Sequence, residues 1–152
     1  MRNVTAQFPL DHSFPQRGIP TKYLEDKESP APEYAYIPGK LLKTQCRSDF
    51  GSVFLIESSR TGQLDRFQVR RQFGQHEKLN NFFFFVGDGP PNAQLAWEMK
   101  QFDDIIVGHF EDNYENLPTK TKFVYKTAVN LCHSEVDSYY MVDSDVLLGN
   151  VI

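Results

Sequence analysis

Tyr139-Tyr140-Met141-Val142-Asp143-Ser144-Asp145-Val146-Leu147-Leu148 decides how the chain is read. Its first four residues are bulky and strand-favouring, and they run straight into two aspartates one residue apart. As a buried strand, residues 139–142 deliver Asp143 and Asp145 to the strand's carboxyl end. Side chains two apart on an extended chain point the same way, so the two carboxylates make one hard, anionic oxygen site. Such a site suits Mg²⁺ or Mn²⁺ shared with a phosphorylated ligand. A lone Asp-x-Asp is more often a polar turn at a strand end, so the meaning of the pair depends on what surrounds it.

Working back from that strand, Val124, Ala128, Leu131 and Cys132 form one apolar stripe, and Pro118 sits where a first helical turn tolerates it. The spacing predicts a helix that runs to about residue 133. Residues 104–108 read as a strand before it. Further back, Leu95, Met99 and Phe102 fall at helical spacing after Asn92, and residues 82–86 form a continuous apolar strand broken by Gly87-Asp88-Gly89-Pro90-Pro91. Residues 53–56 give another short buried strand. The helix after it is expected to be capped by Asp65 and ended by Gly74, with Val69 and Phe73 on its buried face and Arg66 and Arg70 sharing another. Strand–helix repetition of this kind predicts an α/β domain with a mainly parallel sheet flanked by helices. The loops after residues 56, 86 and 142 then gather outside the strands' carboxyl ends, where such sheets bind ligands. A carboxylate pair at that edge, with two arginines just beyond it, points to a metal-dependent site for a nucleotide or other phosphorylated ligand. Guanidinium groups match phosphate oxygens, so Arg66 and Arg70 are candidates for gripping a diphosphate. The competing reading for them is a solvated helix face.

The rest of the chain sets bounds. Its 152 residues suffice for one domain with a real core. A net charge of −4 and a pI near 5.5 point away from a nucleic-acid partner. The longest apolar run, residues 82–86, falls far short of the roughly 18 residues of a membrane span. The first residues lack the apolar core of a secretory signal, so the chain as written reads as soluble and untargeted. Residues 1–45 carry six prolines and no sustained period, and read as a stem or leader that packs only in places. Asn3-Val4-Thr5 is a glycosylation sequon that matters only on a secretory route. Cys46 and Cys132 could be a disulfide or two buried thiols. His12, His76, His109 and His133 are scattered and read as surface or structural residues.

The motifs also resemble a family. Phe54-Leu55-Ile56 with Ser58-Ser59, followed by Arg66-Phe67-Gln68-Val69-Arg70-Arg71-Gln72-Phe73-Gly74, is similar to the Arg-x-x-Ile-Arg-x-Thr-Trp-Gly block of the β-1,3-galactosyltransferases, glycosyltransferase family 31. Phe84-Phe85-Val86-Gly87 is similar to their Phe-Leu-Leu-Gly strand. The stretch from Glu98 through Asp104-Ile105-Ile106, Phe110-Glu111-Asp112-Asn113-Tyr114-Glu115-Asn116-Leu117 and Lys120-Thr121 is the most specific resemblance, and Val142-Asp143-Ser144-Asp145-Val146 resembles their Val-Asp-Asp-Asp-Val. The resemblance covers about residues 46–150. It implies the N-terminal donor-binding half of a GT-A (Rossmann-like) hexosyltransferase over residues 46–152, making a β-1,3 linkage. The donor would be a UDP-sugar, either UDP-galactose or a UDP-N-acetylhexosamine, and the acceptor a glycan on glycoprotein or glycolipid. Mn²⁺, or Mg²⁺ in its place, would be held by Asp143 and Asp145. Ser58, Arg66, Arg70, Lys120 and Ser144 would lie at the donor. The implied location is the lumenal side of the Golgi membrane, reached through an anchor that this chain lacks.

The chain departs from the family pattern at Ser144, where the family has aspartate, and at His109, Phe73 and Pro118; Gly149 looks inserted. It stops at Ile152, before the family's acceptor-binding half, and no residue can be assigned as catalytic base. The expectation is therefore a truncated donor half of an enzyme. Two alternatives stand beside it: a non-catalytic nucleotide-sugar-binding remnant or truncated isoform, and a phosphatase-like α/β protein that uses the same carboxylates. The position of the aspartates on the fourth strand counts against the last.

Overall fold

The strand Phe82–Asp88 has a neighbour on each side and a helical layer on each face, and its uninterrupted apolar run follows from that place. Phe83 and Phe85 turn to one face and Phe82, Phe84 and Val86 to the other, so every side chain of the run is buried. Removing one of these rings would cost about 3–5 kcal/mol, as for large-to-small changes in packed cores.

The computed structural model describes residues 6–7 and 33–144. In chain order these form β1 (Ala6–Gln7), β2 (Tyr34–Tyr36), α1 (Gly39–Thr44), β3 (Ser52–Glu57), α2 (Gln63–Phe73), β4 (Phe82–Asp88), α3 (Ala93–Phe102), β5 (Ile105–Glu111), a 3-10 turn (Tyr114–Asn116), α4 (Leu117–Leu131) and β6 (Ser138–Asp143). The strands make one mixed sheet in the order β1-β6-β3-β4-β5-β2. Its four inner strands are mutually parallel, and the short outer strands β1 and β2 are antiparallel to their neighbours. The expected α/β class with a mainly parallel, helix-flanked sheet is what the chain adopts.

Side-chain alternation divides the core in two. Val53, Leu55, Phe83, Phe85, Ile106, Tyr139 and Met141 face α4, whose Phe123, Val124 and Ala128 cover them, with Leu41 of α1. Ile56, Phe82, Phe84, Ile105, Val107 and Val142 face the opposite layer, where Val69 and Phe73 of α2 and Leu95 of α3 pack. Asn92 caps α3 by accepting from the Leu95 amide at 3.0 Å, which fixes the start of that helix.

Three expectations change. The packed body begins before residue 46: β2 pairs with β5, and the carboxylate of Asp103 accepts from the amides of Gly39 and Lys40 at 2.9 and 2.8 Å, docking the first turn of α1. Asp65 does not cap α2; Gly62 stands at that position and Asp65 lies inside the first turn, where its charge suits the helix dipole. Cys46 and Cys132 form a disulfide that ties the chain before β3 to the end of α4, so the two-thiol alternative does not hold. The sequon at Asn3, the rest of residues 8–32, and Asp145 lie outside the described residues.

Candidate functional site

β3 continues into α2 on one face, while β6, its other neighbour, is reached through α4 on the opposite face. The strand order therefore reverses between β3 and β6, and the carboxyl ends of these two strands open a crevice of the kind that α/β sheets use for ligands. Glu57 and Asp143 end the two strands as register partners. By alternation both continue the series that faces α4, after Val53 and Leu55 and after Tyr139 and Met141. Ser58 and Ser144 follow, on the opposite parity. All four residues line one cleft of about 440 Å³, together with Ser59, Asp65, Asp112, Asn113, Tyr114, Leu117 and Lys120.

The walls of the cleft are cross-braced. Lys120, one turn into α4, is buried; its ammonium donates to Asp112 at 3.0 and 3.3 Å and to the carbonyl oxygen of Ser58. Asp112 also accepts from the Gly87 amide at 2.8 Å. That contact needs glycine, because a Cβ at position 87 would stand 2.7 Å from Asp112 Cβ and from the Phe110 ring. Thr121 donates to the Glu57 carboxylate at 3.1 Å and so holds it against α4. Arg60 donates to the carbonyls of Gly87 and Pro90 at 3.0 and 2.6 Å, joining the loops after β3 and β4.

The arginines require a correction. Arg66 does not project into the cleft but is fully buried behind it. A guanidinium has five N–H groups, and here all are engaged by protein. Nε and Nη2 donate to the two oxygens of Glu98, both at 2.8 Å; Nη1 donates to Ser58 Oγ at 2.9 Å and to the Ser59 carbonyl; and Nη2 also reaches the Arg60 carbonyl at 3.4 Å. Arg70 donates to both oxygens of Asp104 at 2.9 Å and to Glu98 at 3.0 Å, with its guanidinium 4.1 Å above the Phe102 ring. Arg66 has no N–H left for a phosphate, and Arg70 is not part of the cleft lining. Burial pushes the Glu98 carboxyl up, but the hydrogen bonds and charges of Arg66 and Arg70 outweigh it and hold the group below its ordinary value.

Of the candidate donor and metal residues, the fold thus brings Ser58, Lys120, Asp143 and Ser144 to one cleft and places Arg66 and Arg70 outside its lining. Glu57 and Glu98 were not among the candidates. Glu57 was readable as the next residue of the Val53, Leu55 alternation. Glu98 falls on the Leu95, Met99, Phe102 stripe, so a charge there needed a buried partner. His109 is at the surface, 3.3 Å from Asp88, and is not part of the cleft lining.

The cleft lining carries four carboxylates, Glu57, Asp65, Asp112 and Asp143, against one ammonium, Lys120. The described residues contain no cluster of three or more side chains arranged to hold a metal by themselves. A hard cation shared with a diphosphate takes only one or two carboxylates from the protein and the rest of its oxygens from phosphate and water, and Asp143 fits that donor set.

The chain finds no match among curated proteins. A family model described as Galactosyltransferase, however, matches residues 66–150, from within α2 through α3 and α4 to beyond the strand that ends in Asp143. With more than half of its length so matched, the chain belongs to the Galactosyltransferase family.

Proposed function

We propose that this chain binds a UDP-sugar in the crevice between β3 and β6 and serves metal-dependent hexosyl transfer, forming a β-1,3 linkage on a glycan acceptor within a GT-A-type framework. The observation that carries this reading is the charge of the crevice at the reversal of strand order. Four carboxylates face one ammonium, and that ammonium is already bonded to Asp112. A nucleoside diphosphate entering alone would be repelled; one arriving with a divalent cation would be held. Asp143, together with Asp145, would carry that cation, Mn²⁺ or Mg²⁺, which when bound supplies Lewis-acid stabilisation of the departing UDP. Ser58 and Ser144 line the cleft with Asp143; Ser144 is suited to the donor's hydroxyl groups, while Ser58, its polar groups held by protein, shapes the wall. Lys120 brings positive charge to the same wall from α4. The sugar we propose is galactose, in keeping with the family's description, or an N-acetylhexosamine.

The Cys46–Cys132 disulfide supports an oxidising compartment, in line with the lumenal side of the Golgi membrane. No helix among the described residues is long and apolar enough to cross a membrane.

Equilibrium dialysis of labelled UDP-galactose, UDP-N-acetylglucosamine and UDP-N-acetylgalactosamine against the chain tests the reading. The expected result is retention of one UDP-hexose in Mn²⁺ and its release on chelation. Retention that survives chelation, or none by a folded chain, contradicts it.

A further inference from the structure

We infer that Arg66 is a positioning residue for the donor cleft: anchored on Glu98, it fixes the Ser58–Ser59–Arg60 segment from below while Lys120 holds the same segment from the opposite face of the sheet. The inference rests on the donor-cleft reading above and changes the role of the arginine within it from direct ligand to brace.

Three observations carry it. Ser58 is the first residue beyond β3, and each of its polar groups is engaged by a different element. Its amide donates to the Phe85 carbonyl of β4 at 3.0 Å, its hydroxyl accepts from Arg66 of α2 at 2.9 Å, and its carbonyl accepts from Lys120 of α4. Arg66 also holds the Ser59 and Arg60 carbonyls, so one buried side chain sets three consecutive residues. Finally, Glu98 fixes the guanidinium plane through two bonds of 2.8 Å, with both side chains completely buried. A planar fork held in this way has one orientation, and its remaining N–H groups impose that orientation on the loop. Lysine cannot reproduce the fork.

Arg70 provides an internal control. It belongs to the same ion network but donates to Glu98 and Asp104, not to the loop. A purely structural network would make Arg66 and Arg70 equivalent toward the donor; a brace would not.

The test uses the full chain with the paired replacement Arg66→Met/Glu98→Leu, which removes the charges together and keeps apolar volume, and with Arg70→Met for comparison. Hydrogen exchange without ligand reports the loop, and UDP titration in Mn²⁺ reports the cleft. In the folded paired variant, the segment 58–62 is expected to exchange faster than in the parent. UDP affinity is expected to fall about tenfold or more, as when a partner that orients a site residue is lost. Arg70→Met should lower the melting temperature yet leave both readouts near the parent's. Unchanged exchange in the folded paired variant overturns the brace whatever the ligand does, and so does faster exchange with unchanged UDP affinity. If the parent itself binds no UDP in Mn²⁺, the donor-cleft reading and the donor consequence of the brace both fall, while the exchange result still decides whether Arg66 fixes the loop.

Discussion

Arg66 and Lys120 meet at Ser58 from opposite faces of the sheet, one sealed behind the cleft and the other set in its wall. The layers behind them differ in the same way. The α2/α3 layer is held by a four-member ion network, Arg66, Glu98, Arg70 and Asp104, laid over apolar strands. The α4 layer is held by Phe123, Val124 and Ala128 and by a covalent tie at its end. A sealed network has to be complete, because each charge in it has lost water; Lys120 is nearly as buried, but it lines the cleft, whereas Arg66 does not. The comparison explains why one of two cations touching the same serine reads as framework and the other as part of the cleft.

The largest effect is expected where the sealed layer is broken on one side only. Glu98→Ala leaves Arg66 buried without its carboxylate and should cost about 3–5 kcal/mol in denaturant unfolding. Reducing the disulfide, or replacing both cysteines by alanine, opens a loop of sequence separation 86. That should cost about 2–4 kcal/mol, since the tie acts chiefly on the unfolded chain. Asp112→Ala should cost less, about 1–3 kcal/mol, because Lys120 lines the cleft and keeps its bond to the Ser58 carbonyl. An Asp112→Ala loss equal to that of Glu98→Ala would erase the distinction between sealed and wall-side cations.

The smallest effects separate the two layers by pH. The Glu98 carboxyl sits below its ordinary 4.5, so its contribution is present above that value and is lost as pH falls through the lower folded value. Burial pushes the Tyr139 hydroxyl, on the α4 side, from 10.0 up to about 12. The buried neutral form stabilises the fold fully below pH 10 and progressively less up to about 12. Thermal unfolding across pH should therefore show an acid arm that Glu98→Gln alters and an alkaline arm that Tyr139→Phe flattens. Each substitution should leave the opposite arm in place.

Much of this was legible in the sequence because both faces of the sheet are covered. Residues 53–56, 82–86 and 139–142 are continuous apolar runs bounded by polar residues, and each became an inner strand. The convergence of Ser58, Asp143 and Ser144 followed from the topology of parallel strands. The burial of the two arginines follows from their spacing. Positions 66, 69, 70 and 73 fall at i, i+3, i+4 and i+7, so Arg66 and Arg70 share the stripe of Val69 and Phe73 rather than another face. Glu98 lies on the matching stripe of α3, and the two stripes together announce a buried pair. The disulfide was not legible, since two cysteines 86 residues apart carry no spacing signal. Nor was the packing of residues 34–44, because β2 is only three residues long and the first turn of α1 is docked by the distant Asp103.

The measurement that bears most directly on the central claim is calorimetric titration of UDP-galactose and the UDP-N-acetylhexosamines into the folded chain, with and without Mn²⁺, beside Asp143→Asn. A donor cleft between β3 and β6 predicts binding only with the metal, and its loss in Asp143→Asn while the melting temperature stays near the parent's. Binding that is indifferent to Mn²⁺, or that survives Asp143→Asn unchanged, would contradict it.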